Sequence, residues 1–216
     1  MPKSPYFKKT KEIINKPFKK NIDQDILNKQ LPDYLDYDLK VLFVGINPGI
    51  TSALRGHHFA GPTNHFWGCL SESGLVDRPL TYKDDSILTT QYKLGMTNLS
   101  HRTTRQQSDL TMDEQKQNIP LLTEKITTYR PKVACFIGKG IYEIYAKKKI
   151  TSLGLQPIND AIPWNSNNDN GESGHTLIFV MPSTSGRVSA YRKSDKLKFF
   201  KQLCSLVNQQ CNNLEK

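Results

Sequence analysis

The sequence lacks the features that would point to an exported or membrane protein. Its four cysteines, Cys69, Cys135, Cys204 and Cys211, include no close Cys-x-x-Cys pair, so we expect reduced thiols in an intracellular protein. No apolar run approaches the length of a membrane span. The N-terminus is basic and has no apolar core segment, which argues against a secretory signal.

Enough apolar residues are present for one well-buried core, since they make up 37% of the 216 residues. Residues 1–37 show little periodicity and are punctuated by prolines. We therefore predict a basic, flexible N-terminal arm over residues 1–37 and one catalytic domain over residues 38–216.

Positive charge is concentrated in two places. The formal net charge is +10; residues 1–20 hold seven lysines against one glutamate, and residues 187–201 hold six basic residues against Asp195. The rest of the chain is close to neutral, so the two clusters suggest a polyanionic partner. Solubilising tails are the competing interpretation, which is stronger for the N-terminus than for residues 187–201.

Predicted strands alternate with predicted helices along the chain. The strands are expected at residues 40–46, 93–99 (or an extended loop there), 132–138 and 175–181. Helices are expected shortly after Gly49, and at residues 64–75, 111–129, 141–148 and 195–207. Residues 159–174, rich in Asn, Ser and Gly, are expected to be a loop. This alternation predicts an α/β fold of three layers, α/β/α, with a central, mostly parallel sheet.

The segment at residues 41–49, VLFVGINPG, combines a buried-strand pattern with an abrupt turn. In open α/β folds such turns lie at the carboxyl edge of the sheet, where ligands bind. The turn has no Lys, Ser, Cys or carboxylate, which excludes most nucleophilic and phosphate-transfer mechanisms. Chemistry here must use the Asn47 amide and backbone dipoles; a role in shaping the turn alone is the competing interpretation.

Two further strand ends have unusual loops, Gly138-Lys139-Gly140 and Pro182–Arg187. Because parallel strands end on one edge, we predict that Asn47, Lys139 and Arg187 converge. The second loop offers hydroxyl and N–H groups suited to DNA phosphates, although a helix-capping turn would also explain it. The first falls short of a phosphate-cradling GxxxxGK[ST] loop.

The histidines do not predict a metal site. His57 and His58 are adjacent and point different ways, and His65 with Cys69 is a lone pair spaced four residues apart. We interpret them as polar loop residues near a substrate phosphate or base, and no motif implies a cofactor.

Four blocks of sequence carry a resemblance to a known family: GINPG, GHHFAGPTNHFW, MTNL with HRTT, and MPSTSGR. In this order and spacing they resemble the mismatch-specific uracil/thymine DNA glycosylases, within the uracil-DNA glycosylase superfamily. The match covers roughly residues 40–205. His57-His58, Asn98 and Ser-Gly-Arg make it more similar to the eukaryotic thymine-DNA glycosylases than to the bacterial branch.

The resemblance implies a fold and roles for the pocket residues. The fold would be that of uracil-DNA glycosylase. Asn47 occupies the position of the amide that holds the attacking water, and Thr104 helps to position that water. The implied base-binding residues are Ile46 through its backbone, His58, Phe59 by stacking and Asn98 at the base edge.

The resemblance also implies contacts with DNA outside the pocket. The residues concerned are Lys139, Ser183, Ser185, Gly186 and Arg187, of which Lys139 would contact a phosphate. Arg187 would enter the duplex where the base has left, because a guanidinium can stack and donate. Gly186 is expected to add flexibility to this loop.

These inferences predict a monofunctional DNA glycosylase that removes uracil, thymine and other damaged or deaminated bases, preferentially opposite guanine, in base excision repair. "Monofunctional" follows from the absence of a lysine nucleophile in the inferred pocket. The expected partner is double-stranded DNA, without a membrane, and the protein is expected to be a nuclear monomer. Two alternatives are a non-catalytic DNA-binding or regulatory module that kept the fold, and an unrelated α/β enzyme that binds a nucleotide at the turn.

Overall fold

One sheet organises the chain in a computed structural model, which describes residues 24–165 and 173–212. Its strands are β1 (Val41–Gly45), β2 (Leu94–Asn98), β3 (Val133–Ile137), β4 (Gly154–Leu155), β5 (Ile162–Asn165) and β6 (Ser173–Met181). The order is β2-β1-β3-β6-β4, and β5 pairs with β6. Strands β1, β2, β3 and β6 are parallel, whereas β4 and β5 run antiparallel to β6. The predicted, mostly parallel sheet is confirmed.

All five residues of β1, β2 and β3 are buried. Continuous apolar runs such as VLFV and VACFI have this pattern because a parallel sheet is covered on both faces. Each of the four predicted strands coincides with an observed parallel strand, and only the start of β6 differs by more than one residue.

Helices occupy the connections. They are α1 (Gln24–Leu27), α2 (Ile50–Arg55), α3 (Phe66–Ser73), α4 (Leu88–Tyr92), α5 (Met112–Gln117), α6 (Ile119–Tyr129), α7 (Lys139–Tyr145) and α8 (Lys193–Asn212). Short 3-10 turns lie at Tyr82–Ile87, Gln107–Asp109 and Ile158–Asp160.

Alternate residues of β1 enter two separate cores. Val41 and Phe43 pack with residues of α3, α4 and α8. Leu42 and Val44 pack with residues of α6 and α7 on the other face. Helices therefore cover both faces of the sheet, and the predicted three-layer α/β/α fold is confirmed.

The helix predicted over residues 111–129 is two helices. Thr111 caps α5 because its side chain accepts the backbone N–H of Glu114. The helix ends at Asn118, and α6 begins at Ile119 with Pro120 in its first turn. Because Pro120 has no N–H to donate to the preceding turn, the prediction of one continuous helix was wrong.

The loop predicted over residues 159–174 contains regular structure. Strand β5 lies within it, and β6 begins at Ser173, two residues before the predicted start. Pairing between β5 and β6, for example of Pro163 with His175, overrides the weak strand propensity of this segment. Residues 166–172 lie outside the described part of the chain.

The final part of the predicted N-terminal arm packs on the domain. Tyr34 and Met96 exchange two backbone hydrogen bonds of 2.9 Å, and Leu31 is buried. The packed domain therefore begins before residue 38, whereas the basic residues 1–20 lie outside the described residues.

Across residues 24–165 and 173–212, every helix is too short or too polar to cross a lipid bilayer. Cys69, Cys135 and Cys204 are free thiols, and burial raises the pKa of Cys69 to about 11.

Candidate active site

A cleft of about 730 Å³ opens at the carboxyl edge of the parallel strands. Its walls are the loops that follow β1, β2 and β6, together with the segment between α2 and α3. Backbone hydrogen bonds continue past the strand ends and join the first two loops: Leu99 to Gly45 (2.9 Å), Ser100 to Ile46 (2.8 Å) and Thr104 to Pro48 (3.1 Å). The pairing of β1 with β2 thus brings the GINPG and HRTT motifs together.

The Asn47 side chain is fixed by its amide nitrogen. Nδ2 donates to the carbonyl of Arg102 at 2.8 Å and to Oγ1 of Thr104 at 2.7 Å. Thr104 Oγ1 in turn donates to the carbonyl of Gln106 at 2.8 Å. Both amide hydrogens are occupied, and no described residue donates to Oδ1. That oxygen is therefore the group of Asn47 that can accept a hydrogen bond from a water molecule in the cleft.

No carboxylate lies among the described residues that line the cleft. An amide has no useful basicity, so Asn47 can orient water but cannot deprotonate it. The chemistry that fits is hydrolysis by an oriented water, with a good leaving group.

Gly45, the last residue of β1, provides the space for two predicted base-binding residues. A Cβ atom there would clash with Oδ1 of Asn98 and lie 3.5 Å from Cζ of Phe59. Asn98 is the register partner of Gly45 at the end of β2 and is only 6% exposed. The first glycine of GINPG therefore lets the amide and the aromatic ring reach the same part of the cleft.

Phe59 is held in the cleft wall by its neighbour. Its ring stacks on Phe66 with centroids 4.2 Å apart and planes inclined by 11°. Its φ of 51° lies in the left-handed region, which is uncommon for a residue with a bulky side chain. Because Phe66 is fully buried, only the opposite face of the Phe59 ring can take up a planar ligand.

His58 lines the cleft but is 2% exposed. Its ring Nε2 bonds to the carbonyl of Pro32 at 2.8 Å, and its backbone N–H donates to the Asp85 carboxylate at 2.9 Å. Burial lowers the pKa of the ring, so His58 is neutral near physiological pH. With one ring nitrogen occupied, the geometry gives His58 a supporting place beside Phe59, and base binding by its side chain stays a prediction.

Ile46 lies at the cleft as predicted. Its carbonyl already accepts the N–H of Ser100 at 2.8 Å. A backbone contact from Ile46 to a base therefore falls mainly to its own N–H group.

The loop after β6 presents hydroxyl groups at the opposite wall. Ser183 and Ser185 are half-buried and line the cleft, whereas Thr184 is 1% exposed. Ser183 Oγ accepts the N–H of Ser185 at 3.4 Å, and Ser185 Oγ accepts that of Arg187 at 3.3 Å. Each serine oxygen is thus an acceptor within the loop, which leaves its own hydrogen to donate to an anion.

The expectation that Gly186 adds flexibility is wrong. A Cβ atom at this position would clash with the carbonyl of Thr63. Glycine is needed because the loop packs closely on Thr63, in the segment before α3, and leaves no room for a side chain.

Arg187 reaches across the cleft. The side chain is exposed, and its Nη1 donates to the carbonyl of Arg105 at 3.1 Å. The guanidinium therefore links the loop after β6 to the loop after β2.

Asn47 and Arg187 line the same cleft, as predicted, whereas Lys139 lies beside this cleft. Lys139 begins α7 on the same edge of the sheet and lines an adjoining cavity of about 210 Å³. That cavity shares Ile46 and Ser183 with the main cleft. The Lys139 side chain is half-exposed and lies 3.7 Å from Glu143, so it flanks the cleft.

The predicted polyanion-binding cluster at residues 187–201 is only partly available. Lys193 pairs with Glu72 at 2.6 Å, Lys198 lies 3.6 Å from Asp195, and Lys196 is 1% exposed. Counting charges in a sequence cannot separate a surface cation from one that is used inside the fold.

Two residues of the site were not singled out by the sequence. Leu31 lines the cleft, although it belongs to the predicted arm. Arg102 holds Asn47 through its carbonyl, and its side chain forms a two-point contact with Glu114 at 2.7 and 2.8 Å. Arg102 is itself the second residue of the HRTT motif, and this is the sequence signal that could have pointed to it.

The histidines between α2 and α3 bind a buried carboxylate. Asp85 is fully buried and lies 2.9 Å from Nδ1 of His57. In the part of the chain that the structure describes, no group of three or more His, Cys, Asp or Glu side chains could hold a metal ion.

Comparison with known proteins agrees with this geometry. The family model described as the uracil DNA glycosylase superfamily matches residues 32–206. A protein of Schizosaccharomyces pombe named G/U mismatch-specific uracil DNA glycosylase is 37% identical over 194 residues, which cover 88% of this chain. The match spans only 57% of the length of that relative. With the sheet, the cleft and the four motifs in place, the chain belongs to the uracil DNA glycosylase superfamily.

Proposed function

We propose that the protein is a monofunctional DNA glycosylase that hydrolyses the N-glycosidic bond of uracil, thymine and other damaged or deaminated bases. The observation that carries this proposal is the orientation of Asn47, whose Nδ2 is held by Arg102 and Thr104. Its Oδ1 remains available to bind a water in the cleft. No carboxylate or lysine is present among the described residues that line this cleft. Without a lysine nucleophile the enzyme would release the base and leave an abasic site.

The reaction divides between the two walls of the cleft. A water held by Asn47 Oδ1 would attack C1′ of a flipped nucleotide, while the bond to the base nitrogen breaks. The departing base anion would take up the proton that the water loses, since the described residues of the cleft offer no general base. The base leaves with negative charge, which the Asn98 side chain and backbone N–H groups near Ile46 and Phe59 would stabilise. The exposed face of Phe59 would stack on the ring.

Substrate choice would follow from the missing general base. Help of about 10²–10⁴-fold from proton abstraction is unavailable, so the enzyme would be slow and depend on the leaving group. Uracil and other electron-poor bases should leave faster than thymine. Mispaired bases flip at lower cost, which favours bases opposite guanine, in keeping with the name of the fission-yeast relative.

The proposed partner is double-stranded DNA. Ser183, Ser185 and the N–H groups near Gly186 would bind phosphates, Arg187 would leave Arg105 to fill the gap in the duplex, and Lys139 would contact a flanking phosphate. The protein would act as a nuclear monomer in base excision repair.

The decisive experiment compares the wild type with Asn47→Ala on a duplex that contains one U·G pair, followed by alkali. The wild type should produce strand scission at the uracil, and Asn47→Ala should be slower by about 100-fold or more because the water is no longer oriented. Both proteins should bind the duplex. Asn208→Ala, at an exposed amide on α8, controls for the loss of an asparagine.

Two outcomes would contradict the proposal. Wild-type protein that binds the duplex without scission would be a non-catalytic module, and an active Asn47→Ala variant would exclude the water-holding role.

A further inference from the structure

A lysine is buried behind the loop at residues 182–187. Lys196 lies in the first turn of α8 and is 1% exposed. Its Nζ donates to the carbonyl of Ser185 at 2.9 Å and lies 3.3 Å from Nδ1 of His65. His65 also holds the loop, since its backbone N–H donates to the carbonyl of Thr184 at 2.9 Å.

This lysine has no anionic partner among the residues that the structure describes. Its neighbours on α8 do, because Lys193 pairs with Glu72 and Lys198 lies near Asp195. Lysine is almost never fully buried unless it is paired, and removing a charge from water is costly. Burial accordingly lowers the pKa of Lys196. A fold that keeps such a group needs a reason for it.

Two hydrogen bonds to the carbonyl of Ser185, from Lys196 Nζ at 2.9 Å and from the N–H of Val188 at 3.3 Å, determine which way the next peptide faces. In a planar trans peptide the C=O and N–H groups point in opposite directions. Because the carbonyl of Ser185 points inward to Lys196, the N–H of Gly186 points away from the interior. The carbonyl of Thr184 is likewise directed inward, to His65. The loop therefore directs two carbonyl oxygens, which carry partial negative charge, inward and the N–H of Gly186, which carries partial positive charge, outward. Outward N–H groups of this kind form anion-binding backbone nests.

We propose that Lys196 is a positioning residue for DNA binding, because it holds the loop at residues 182–187 in its anion-binding form. A DNA phosphate bound on the outer side of that loop supplies the counter-charge that Lys196 lacks. The inference rests on the proposed function only in taking DNA as the ligand. The phosphate does not touch Lys196; one layer of backbone separates them, and the low-dielectric surroundings strengthen the attraction.

The test replaces Lys196 by Met, which keeps the length and removes the charge. The probe is a duplex with 2′-fluoro-2′-deoxyuridine opposite guanine, which resists hydrolysis. Lys196→Met should weaken binding of this probe about tenfold. On a cleavable U·G duplex it should raise KM, while the single-turnover rate of the bound duplex stays within about twofold of the wild-type rate. Lys40→Met removes the same charge from an exposed position directly before β1, at the opposite end of the sheet from the cleft, and should bind like the wild type.

Stability separates this role from a purely structural one. Because the buried charge is uncompensated in the free protein, Lys196→Met should unfold in urea at the same or a higher midpoint than the wild type. A lower midpoint with an equal loss of rate and affinity would overturn the proposal. Lys196→Gln retains a hydrogen-bond donor without charge and should recover only part of the affinity; full recovery would exclude the electrostatic contribution.

A second arm tests the phosphate. Neutral methylphosphonate linkages are placed one at a time on either side of the modified nucleotide. At one position the wild type should lose affinity and Lys196→Met should lose clearly less, which is a coupling between the lysine and that phosphate. Equal losses at every position would overturn the inference. Since binding is measured without excision, failure of the proposed catalysis would not affect this result.

Discussion

Asn47 is the most informative residue of the site because its side-chain amide is held in one orientation. Asn47 has two donors and one acceptor, and the loop after β2 occupies both donors with the Arg102 carbonyl and the Thr104 hydroxyl. An unconstrained amide could turn either end toward the cleft. The hydroxyl of Thr104 is itself oriented by the Gln106 carbonyl, so the direction of Asn47 Oδ1 is fixed by a chain of three hydrogen bonds.

Gly45→Ala should damage the site more than the fold. The added methyl group would clash with Oδ1 of Asn98 and crowd Phe59. Overpacking of this kind costs about 1–3 kcal/mol, and displacement of the two proposed base-binding side chains should slow excision by roughly 100-fold. The free energy of unfolding in urea and the single-turnover rate on a U·G duplex measure the two effects.

Gly49→Ala is the matched control for stability within the same motif. A Cβ atom at Gly49 meets nothing within 4 Å, and its φ of −81° suits any residue. It should therefore unfold like the wild type. Equal destabilisation by both substitutions would contradict the argument from Asn98.

Sequence predicted best those residues whose motif also sets their local conformation. The strand-turn of GINPG placed Asn47 at the carboxyl edge of β1, and the parallel order of strands brought it to Arg187. Lys196 and Leu31 carry no such signal: their roles depend on contacts with segments far away in the chain. His58 was placed correctly at the cleft, but its bond to Pro32 cannot be inferred from its neighbours.

At the scale of elements, the errors have a common cause. Strand β5 was missed because its sequence, IPWN, is short and contains proline, and it is stabilised by pairing with β6. The break between α5 and α6 was missed because the apolar stripe of Ile119, Leu122 and Ile126 continues through it. Periodicity reports the buried face of a segment, and it does not report whether the backbone is continuous.

The separate helix α5 stabilises the loop after β2 that holds Asn47. Its Glu114 forms a two-point ion pair with Arg102, whose Nη2 also donates to the carbonyl of Asp109 at 2.8 Å. This hydrogen bonding lowers the pKa of Glu114. Since the carbonyl of Arg102 holds Asn47, α5 contributes to the orientation of the amide.

Arg102→Ala should therefore reduce the rate without unfolding the protein. The ion pair is partly exposed and should contribute about 1 kcal/mol or less to stability. A shift of the loop that carries Asn47 should lower the single-turnover rate by up to about 100-fold, with little change in duplex affinity. Arg78→Ala removes an arginine paired with Asp84, away from the cleft, and should leave the rate unchanged. An unchanged rate in Arg102→Ala would show that α5 has no part in orienting Asn47.

For the whole molecule, net charge is a poor guide to how charge is used. The formal charge is +10, yet several of the basic residues near the cleft bond to the protein itself: Lys196 to a carbonyl, Lys193 to Glu72 and Arg187 to the Arg105 carbonyl. Arg187 lies at the cleft mouth and is exposed, so it can exchange its bond for one with DNA. Lys196 is enclosed and can act only through the loop.

Neutral histidines should make the fold sensitive to mild acid. Burial lowers the pKa of His58, His65 and His101 below the ordinary value, and nearby lysines lower the last two further. The unfolded chain therefore binds more protons than the native one as pH falls through about 6.5, so stability decreases toward lower pH. Each histidine contributes at most about 1.4 kcal/mol per pH unit. Carboxylates with lowered pKa, such as Glu114, act in the same direction only below about pH 4.5.

The free energy of unfolding in urea should accordingly be lower at pH 5.5 than at pH 7.5. His58 is the most deeply buried of the three, and its ring bonds to Pro32. His58→Gln retains a donor for that carbonyl and cannot be protonated in this range, so it should show a smaller difference between the two pH values. His175→Gln, at an exposed position on β6, should keep the wild-type difference. If all three proteins were equally stable at both pH values, the buried histidines would not be the groups that set the acid limit of this fold.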